Sequence, residues 1–209
     1  MNKKVLLVLL AMLLAVSFVA GCGSTEPAPE ASTEAEATPV AESDADYITE
    51  KGTMQIGITL FSPMNYYEGE ELIGFETEFA KAVCEKLGVT PEFVEINWDT
   101  KEIELNSKNI DCIWNGMTIT EERKENMEIT NPYMANRQVM IVKAENEAKY
   151  AEGVDADTVV VAEKGSTGEE LAMENEFFAE ANYTAVDAQS TGLMDVAAGT
   201  SDVLIGDYV

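Results

Sequence analysis

The stretch from residue 110 to 133, IDCIWNGMTITEERKENMEITNPY, constrains the fold more than any other part of this chain. It opens with a short, mainly apolar run that predicts a buried strand. Asn115-Gly116 then breaks the strand, and Thr120 is a suitable N-cap for a polar helix over Glu121–Asn126. A strand end, a glycine turn and a helix start bring backbone N–H groups towards one point, which favours an anion-binding site there.

Arg123 in this helix supplies one of only two guanidinium groups in the chain, the other being Arg137. A guanidinium pairs with a carboxylate through two parallel hydrogen bonds, and Thr118 with nearby backbone N–H groups would complete the shell of such an anion. The alternative is a surface ion pair with a neighbouring glutamate such as Glu122. The residues of this segment alone leave both interpretations open.

The spacing of these residues resembles the signature of the amino-acid-binding proteins of ABC importers, the family-3 extracytoplasmic solute receptors. That signature is approximately sG-x-D, then T-x-T-x-x-R, then x-F-S-x-P-Y. The matching segments here run from Lys108 to Asp111, from Gly116 to Arg123 and from Ile129 to Tyr133. The resemblance covers residues 52–209. It implies an α/β fold of the type II periplasmic-binding-protein kind, with two lobes and a ligand cleft between them.

The resemblance also implies a site for a free amino acid, whose two charges must both be paired when water is excluded. Arg123 and Thr167 would contact the ligand carboxylate. Asp207, the Gly116 carbonyl and the Thr118 hydroxyl would contact the ligand ammonium group. Thr167 lies in a Gly-Ser-Thr-Gly turn for which an ordinary helix cap is the alternative. The alternative for Asp207 is a turn residue at a strand end.

Two aromatic residues and one acid complete the site that the resemblance implies. Phe61, two residues before Pro63, matches an aromatic that lies over the ligand, and a core position is its alternative. Trp98 matches an aromatic that faces the cleft, and the core of a lobe is its alternative. Glu163 replaces the neutral or Lys residue that is usual before the lobe-2 turn, which favours a cationic side chain or makes room for an amide. Ile58 stands where receptors for cationic side chains often carry Asp, so we expect a polar or neutral amino acid as the ligand.

Composition argues against several other classes of protein. The formal net charge is −26 and the chain has no histidine. Nucleic-acid binding needs a basic face, so this charge argues against it. The lack of histidine excludes every His-based triad or metal site, and we expect no metal and no cofactor. Cys84 and Cys112 both lie in apolar patterns, where buried free thiols are favoured over a disulfide.

The N-terminus has the features of a lipoprotein signal peptide, which we assign to residues 1–21. A charged start precedes an apolar run of 16 residues, shorter than the roughly 18 expected of a spanning helix. The run leads into Val19-Ala20-Gly21-Cys22, which resembles a lipobox, so Cys22 is the predicted lipidation site. An uncleaved short anchor is the alternative. Residues 22–46 are acidic and Pro-containing, which predicts a disordered tether.

Strands and helices are predicted to alternate along the rest of the chain, as in an α/β fold. One helix opens at Gly74 and is closed by Gly88, with an apolar stripe of Phe79, Val83 and Leu87. The other predicted strands lie at 54–60, 90–96, 137–143, 158–162 and 183–186, and the other predicted helices at 101–107, 169–179 and 191–198.

We place lobe 1 at residues 47–136 and lobe 2 at residues 137–209. Members of the family continue for several dozen residues that complete lobe 2 and return to lobe 1. We therefore expect lobe 2 and the return to lobe 1 to be incomplete, and the chain to be truncated at its C-terminus.

The function that the resemblance implies is that of a monomeric receptor, held by its lipid at the outer face of the cytoplasmic membrane, which delivers a free amino acid to an ABC permease. Two alternatives remain. An enzyme of the same fold, a dehydratase or a peptidoglycan lyase module, would need an acid-base residue over the cleft, for which Glu163 is the candidate. A sensor domain of a signalling receptor would need a transmembrane helix further along the chain.

Overall fold

The computed structural model describes residues 43–209. The predicted signal peptide, the lipidation site Cys22 and most of the predicted tether lie outside the described residues. Within residues 43–209, none of the helices has both the length and the apolar character needed to cross a membrane.

The strands within the described residues are β1 Thr53–Ile58, β2 Tyr66–Glu68, β3 Glu71–Ile73, β4 Thr90–Glu95, β5 Cys112–Ile113, β6 Arg137–Ile141, β7 Val159–Glu163, β8 Asn182–Val186 and β9 Val203–Tyr208. The α-helices are α1 Asp44–Lys51, α2 Phe75–Leu87, α3 Lys101–Asn106, α4 Glu121–Asn126, α5 Glu147–Tyr150, α6 Thr167–Glu174 and α7 Gln189–Ala198. Short 3-10 helices lie at Trp98–Thr100, Ala144–Asn146 and Glu176–Phe178.

The N-terminal half is built around a three-stranded parallel sheet in the order β4-β1-β5. Strand β1 is central, and its residues Met54, Ile56 and Ile58 are buried together with Ala80 and Cys84 of α2. Successive side chains of a strand point to opposite faces, so Met54, Ile56 and Ile58 share the face of β1 that packs against α2. Cys84 and Cys112 are both free thiols, as the sequence predicted.

The C-terminal half is built around a four-stranded sheet in the order β6-β9-β7-β8. Strand β6 runs antiparallel to β9, whereas β7 runs parallel to both β9 and β8. Successive side chains of a strand point to opposite faces, so Val160 and Ala162 pack in the core that contains Ala172 of α6. Val161 packs on the opposite face with Val196 of α7. The sheet is therefore covered by helices on both sides.

Helix α2 has the predicted ends but not the predicted buried face. Gly88 closes it in the left-handed conformation, with φ of 73°. The buried residues of the helix are Glu76, Thr77, Ala80 and Cys84, and Leu87 is 47% exposed. The predicted apolar stripe was therefore wrong at Leu87. The reason is that the Glu76 carboxylate accepts hydrogen bonds within the protein. The helix face that carries Glu76, Ala80 and Cys84 therefore packs towards the sheet, and Leu87 lies outside that face.

The described structure starts earlier than the predicted folded region. Helix α1 begins at Asp44, inside the predicted tether, and the Ser43 hydroxyl accepts a hydrogen bond from Asp46 N at 3.1 Å. Lys51 at the helix end pairs with the buried carboxylate of Asp111 at 2.9 Å. Composition predicted disorder here, but acidic residues in the first turn of a capped helix are stabilising.

Two further differences concern short segments. The hairpin β2–β3, which pairs Tyr66 with Ile73, was not predicted from the sequence. The helix predicted for 169–179 begins at Thr167 and ends at Glu174, because Asn175 then caps a 3-10 helix by accepting a hydrogen bond from Phe177 N at 3.0 Å.

Candidate functional site

Side chains from both halves of the described chain surround one small cavity. It lies where β4, β5 and β7 end and where β9 approaches its end, which is the edge at which open α/β sheets bind ligands. The lining residues are Trp98, Asn115, Gly116, Met117, Thr118, Arg123, Glu163, Ser166, Thr167, Gln189 and Asp207. The structure thus brings together every residue that the sequence assigned to the ligand except Phe61.

Arg123 is positioned by the N-cap of α4, where the Thr120 hydroxyl accepts a hydrogen bond from Arg123 N at 3.2 Å. The side chain is buried, and it donates to the Thr118 carbonyl at 2.7 Å and to the Gly165 carbonyl at 3.3 Å. The only carboxylate within 4 Å of its guanidinium among the described residues is Glu170, at 3.9 Å. The alternative of a surface pair with a neighbouring glutamate is therefore wrong, and a buried cation without a close anionic partner faces the cavity.

Asp207 is held by neutral amides rather than by a cation. The side-chain amides of Asn136, Gln138 and Gln189 each donate to its carboxylate at 2.5 Å. Asp207 also lies within β9, opposite Gln138 of β6, so the alternative of a turn residue is wrong. Three neutral donors stabilise an ionised carboxylate without cancelling its charge. The site therefore presents a negative group that can accept a cation.

Glu163 brings a second acid to the cavity from the end of β7. It is 4% exposed, and within residues 43–209 its Oε1 atom has no hydrogen bond partner. Burial, reinforced by the negative charge of Asp207, raises the pKa of Glu163 to about 7, against the opposing effects of the Lys101 charge and a Gln189 hydrogen bond. The group can thus exist in either protonation state near neutral pH.

The turn before α6 combines a helix cap with a contact between the two halves. The Ser166 hydroxyl accepts from Glu169 N at 3.2 Å, so Ser166 is the cap that the alternative interpretation described. The Glu169 carboxylate in turn accepts from Gly165 N at 2.7 Å. Thr167 is the first residue of the helix, and its hydroxyl donates to the Thr118 hydroxyl at 3.3 Å. Thr118 and Thr167 therefore meet from different halves of the described chain.

The N-terminal and C-terminal halves of the described chain touch directly beside the cavity. Lys101 is 5% exposed, and its ammonium group donates to the Gly165 carbonyl of the other lobe at 2.9 Å and to the Trp98 carbonyl at 3.2 Å. Burial is the main reason why the pKa of Lys101 is lowered. Lys164 also pairs with Asp99 across the same contact at 3.0 Å. The Trp98–Thr100 turn therefore lies against the Gly165 turn.

A buried polar network fixes the glycine turn after β5. The Glu76 carboxylate accepts from Gly116 N at 2.6 Å, from the Asn65 amide at 2.9 Å and from the Tyr133 hydroxyl. Burial is the main cause that raises the pKa of Glu76. The Asn115 side chain joins the network by accepting from Asn65 at 3.0 Å. The Gly116 N–H is therefore occupied by a protein carboxylate, which corrects the expectation that N–H groups of this turn serve a ligand anion.

Phe61 lies close to this network but not in the cavity lining. It is 8% exposed, and its backbone N donates to the Asn65 carbonyl at 2.8 Å. Its position corresponds to the core alternative, and a ligand contact by Phe61 stays a prediction. Trp98 does line the cavity, although it is only 5% exposed.

Sequence reasoning missed the residues that hold Asp207 and Gly116. Amides such as Asn136, Gln138 and Gln189 carry no charge pattern and no motif. Only the pairing of β6 with β9, which the structure shows, places Gln138 opposite Asp207. Among residues 43–209, no cluster of acidic or cysteine side chains is arranged to hold a metal ion.

The chain belongs to family 3 of the bacterial extracellular solute-binding proteins, whose family model matches residues 54–205. It is 30% identical over 164 residues to the L-cystine-binding protein TcyJ of Escherichia coli (strain K12), covering 77% of this chain and 60% of that protein. It is also 30% identical over 209 residues to the ABC transporter glutamine-binding protein GlnH of Bacillus subtilis (strain 168), covering 98% of this chain and 75% of that protein.

Solved structures show the same fold. The ancestral amino acid-binding protein AncCDT-1, a precursor of cyclohexadienyl dehydratase, matches with a TM-score of 0.74 and 30% identity over 79% of this chain and 74% of that one. An ancestral arginine-binding protein bound to arginine matches with a TM-score of 0.67 and 29% identity over 75% and 70% of the two chains. The family and the α/β periplasmic-binding-protein fold that the sequence predicted are thus confirmed. The chain spans about 60% of the length of the first curated relative.

Proposed function

We propose that this protein is the extracytoplasmic receptor of an ABC importer and that its cavity binds a free amino acid. The observation that carries the proposal is the placement of Arg123 and Asp207 on one cavity. Among the described residues, the nearest carboxylate to the buried Arg123 guanidinium is that of Glu170 at 3.9 Å, and Asp207 is an anion held by neutral amides. A zwitterion supplies the missing partner of each.

The expected contacts account for binding of the ligand in the micromolar range. Arg123 and Thr167 bind the ligand carboxylate, and Asp207, Thr118 and the Gly116 carbonyl bind its ammonium group. Charge-assisted hydrogen bonds contribute about 1.5–3 kcal/mol each. Four or five of them, less the cost of association and lobe closure, reach the roughly 8 kcal/mol of micromolar binding.

The side chain of the ligand is polar or neutral in this proposal. Ile58 is fully buried and leaves no acid at the position where receptors for cationic amino acids often carry one. The names of the relatives span cystine, glutamine and arginine, so the family by itself does not select the ligand. The proposed partner is a membrane permease, reached from a lipid anchor on Cys22 at the outer face of the cytoplasmic membrane.

A screen of the full chain against the free amino acids by thermal unfolding tests this function. A ligand at 100 times its dissociation constant stabilises the folded state by about 2.7 kcal/mol. Arg123→Ala and Asp207→Asn are expected to abolish the stabilisation, because each leaves one ligand charge unpaired. Arg137→Ala and Asp157→Asn are matched controls at exposed positions and should retain it. Stabilisation that survives both site substitutions contradicts the zwitterion site.

The enzyme alternative has one observation in its favour, since a buried acid with a pKa of about 7 suits acid-base chemistry. The matching curated relatives, however, carry the names of binding proteins. A turnover assay that compares the native chain with Glu163→Gln decides between the two. Turnover that depends on Glu163 supports an enzyme, and tight binding without turnover supports a receptor.

A further inference from the structure

We propose that Glu163 determines the specificity of the cavity by requiring a ligand side chain that donates a hydrogen bond to its free carboxylate oxygen. This inference rests on the proposed amino-acid-binding function and names the class of ligand: amino acids whose side chain carries an N–H donor.

The geometry at Glu163 is that of an acceptor without a donor. The side chain is 4% exposed, lines the cavity, and leaves Oε1 without a partner among the described residues. A buried polar atom without a partner is costly, and a buried charge without one is more so. A ligand that supplies a donor at this point removes that cost, and a ligand that supplies none retains it.

The polar groups around Glu163 already form hydrogen bonds with other partners. Asp207 on β9 adds negative charge. Its carboxylate accepts hydrogen bonds from three side-chain amides and, in the proposed complex, from the ligand ammonium group. Lys101 on α3 is the nearest opposing cation, but it donates to two backbone carbonyls. Gln189 on α7 donates to Asp207 and also hydrogen-bonds the Glu163 carboxylate, which still leaves Oε1 without a partner among the described residues. Arg123 on α4 serves the ligand carboxylate. A ligand side chain in the cavity can supply the donor that Oε1 lacks.

The same arrangement rejects acidic and apolar side chains. A glutamate ligand would bring a further carboxylate beside Glu163 and Asp207, and like charges in a buried site repel. A leucine ligand would leave Oε1 without a donor. A carboxamide side chain fits both this requirement and the lack of an acid at Ile58. A cationic side chain fits this requirement alone, and the pH dependence of binding separates the two.

Burial raises the pKa of Glu163 to about 7, so its charge changes within an accessible pH range. A cationic side chain pairs with the ionised form alone, so its affinity should increase about tenfold from pH 6 to pH 8. A carboxamide can donate to the ionised form or accept from the protonated form, so its affinity should change by less than about threefold.

The experiment is calorimetric titration of the full chain with L-glutamine, L-arginine, L-leucine and L-glutamate at pH 6 and pH 8. At pH 8 we expect glutamine or arginine to bind at least about tenfold more tightly than leucine and glutamate, since one charge-assisted hydrogen bond is worth that factor. In Glu163→Gln, the preference over glutamate should shrink at least about tenfold, because the repelling charge is gone. Glu180→Gln makes the same charge change at an exposed position and should keep the native preference.

Two results overturn the inference. One is a native chain that prefers leucine or glutamate, a result that needs no variant to fold. The other is a Glu163→Gln variant that keeps the native order of affinities. A native chain that binds none of the amino acids contradicts the proposed function itself, so the two failures are distinguishable.

Discussion

Replacing Gly165 with Ala should weaken ligand binding in addition to lowering the stability of the fold. Gly165 has φ of +71°, and a Cβ atom there would lie 2.9 Å from the Asp99 Cα of the other lobe. A contact this short with a backbone atom is not tolerated, so the backbone near Gly165 or Asp99 must shift. The lobes must therefore separate slightly before they can accommodate the added methyl group.

The Gly165→Ala substitution has two effects, one on the stability of the fold and one on the affinity for the ligand. A non-glycine residue in the left-handed region costs about 1–2 kcal/mol whether the lobes are open or closed. The clash arises only on closure, where it displaces the Gly165 carbonyl from Lys101 and Arg123, which donate to it at 2.9 Å and 3.3 Å. Losing one such bond costs about 1.5–3 kcal/mol, which corresponds to roughly 10- to 150-fold weaker binding.

Two measurements separate these effects: thermal unfolding without ligand, and calorimetric titration with the amino acid that the screen identifies. Gly69→Ala is the matched control, because Gly69 has φ of +66° and a Cβ atom added there would meet no other atom within 4 Å. Both variants should lose similar stability, and only Gly165→Ala should lose affinity. Equal affinity in the two variants refutes the reasoning, since it would mean that the ligand-bound form does not close on this contact.

Three further substitutions test other parts of the structure. Asn65→Ala should lower the free energy of unfolding by about 2–4 kcal/mol in urea denaturation, because Glu76 loses a buried donor; a loss below about 1 kcal/mol contradicts the network. Since the folded pKa of Glu163, about 7, lies above its ordinary value of 4.5, ionisation opposes folding. Native stability should therefore fall relative to Glu163→Gln as the pH rises from 4.5 to 7, by about 1.4 kcal/mol per unit, and parallel stability curves would disprove the raised pKa. Asp111→Ala should lower the free energy of unfolding by about 1–3 kcal/mol and expose α1 to proteolysis, because Lys51 and Gln55 N lose their acceptor. Unchanged protection of α1 would show that this pair does not hold the helix.

The local elements were predictable because their signals lie within a few residues. Thr120 caps α4 and Gly88 closes α2 as the sequence indicated. The spaced motif also predicted that Arg123, Thr167 and Asp207 would share a site, and the structure places all three on the cavity. Whether they bind a ligand in the assigned roles stays a prediction.

The sequence by itself determined the family, the alternation of strands and helices and the charged groups of the cavity, because each leaves a motif or a period in the chain. Only the tertiary structure decided what holds those charges. Asn136 and Gln138 reach Asp207 from 71 and 69 positions away in the chain, and Glu76 reaches Gly116 from 40. Such contacts leave no local pattern, because a neutral amide or a single glutamate is compatible with many environments until folding gives it a partner.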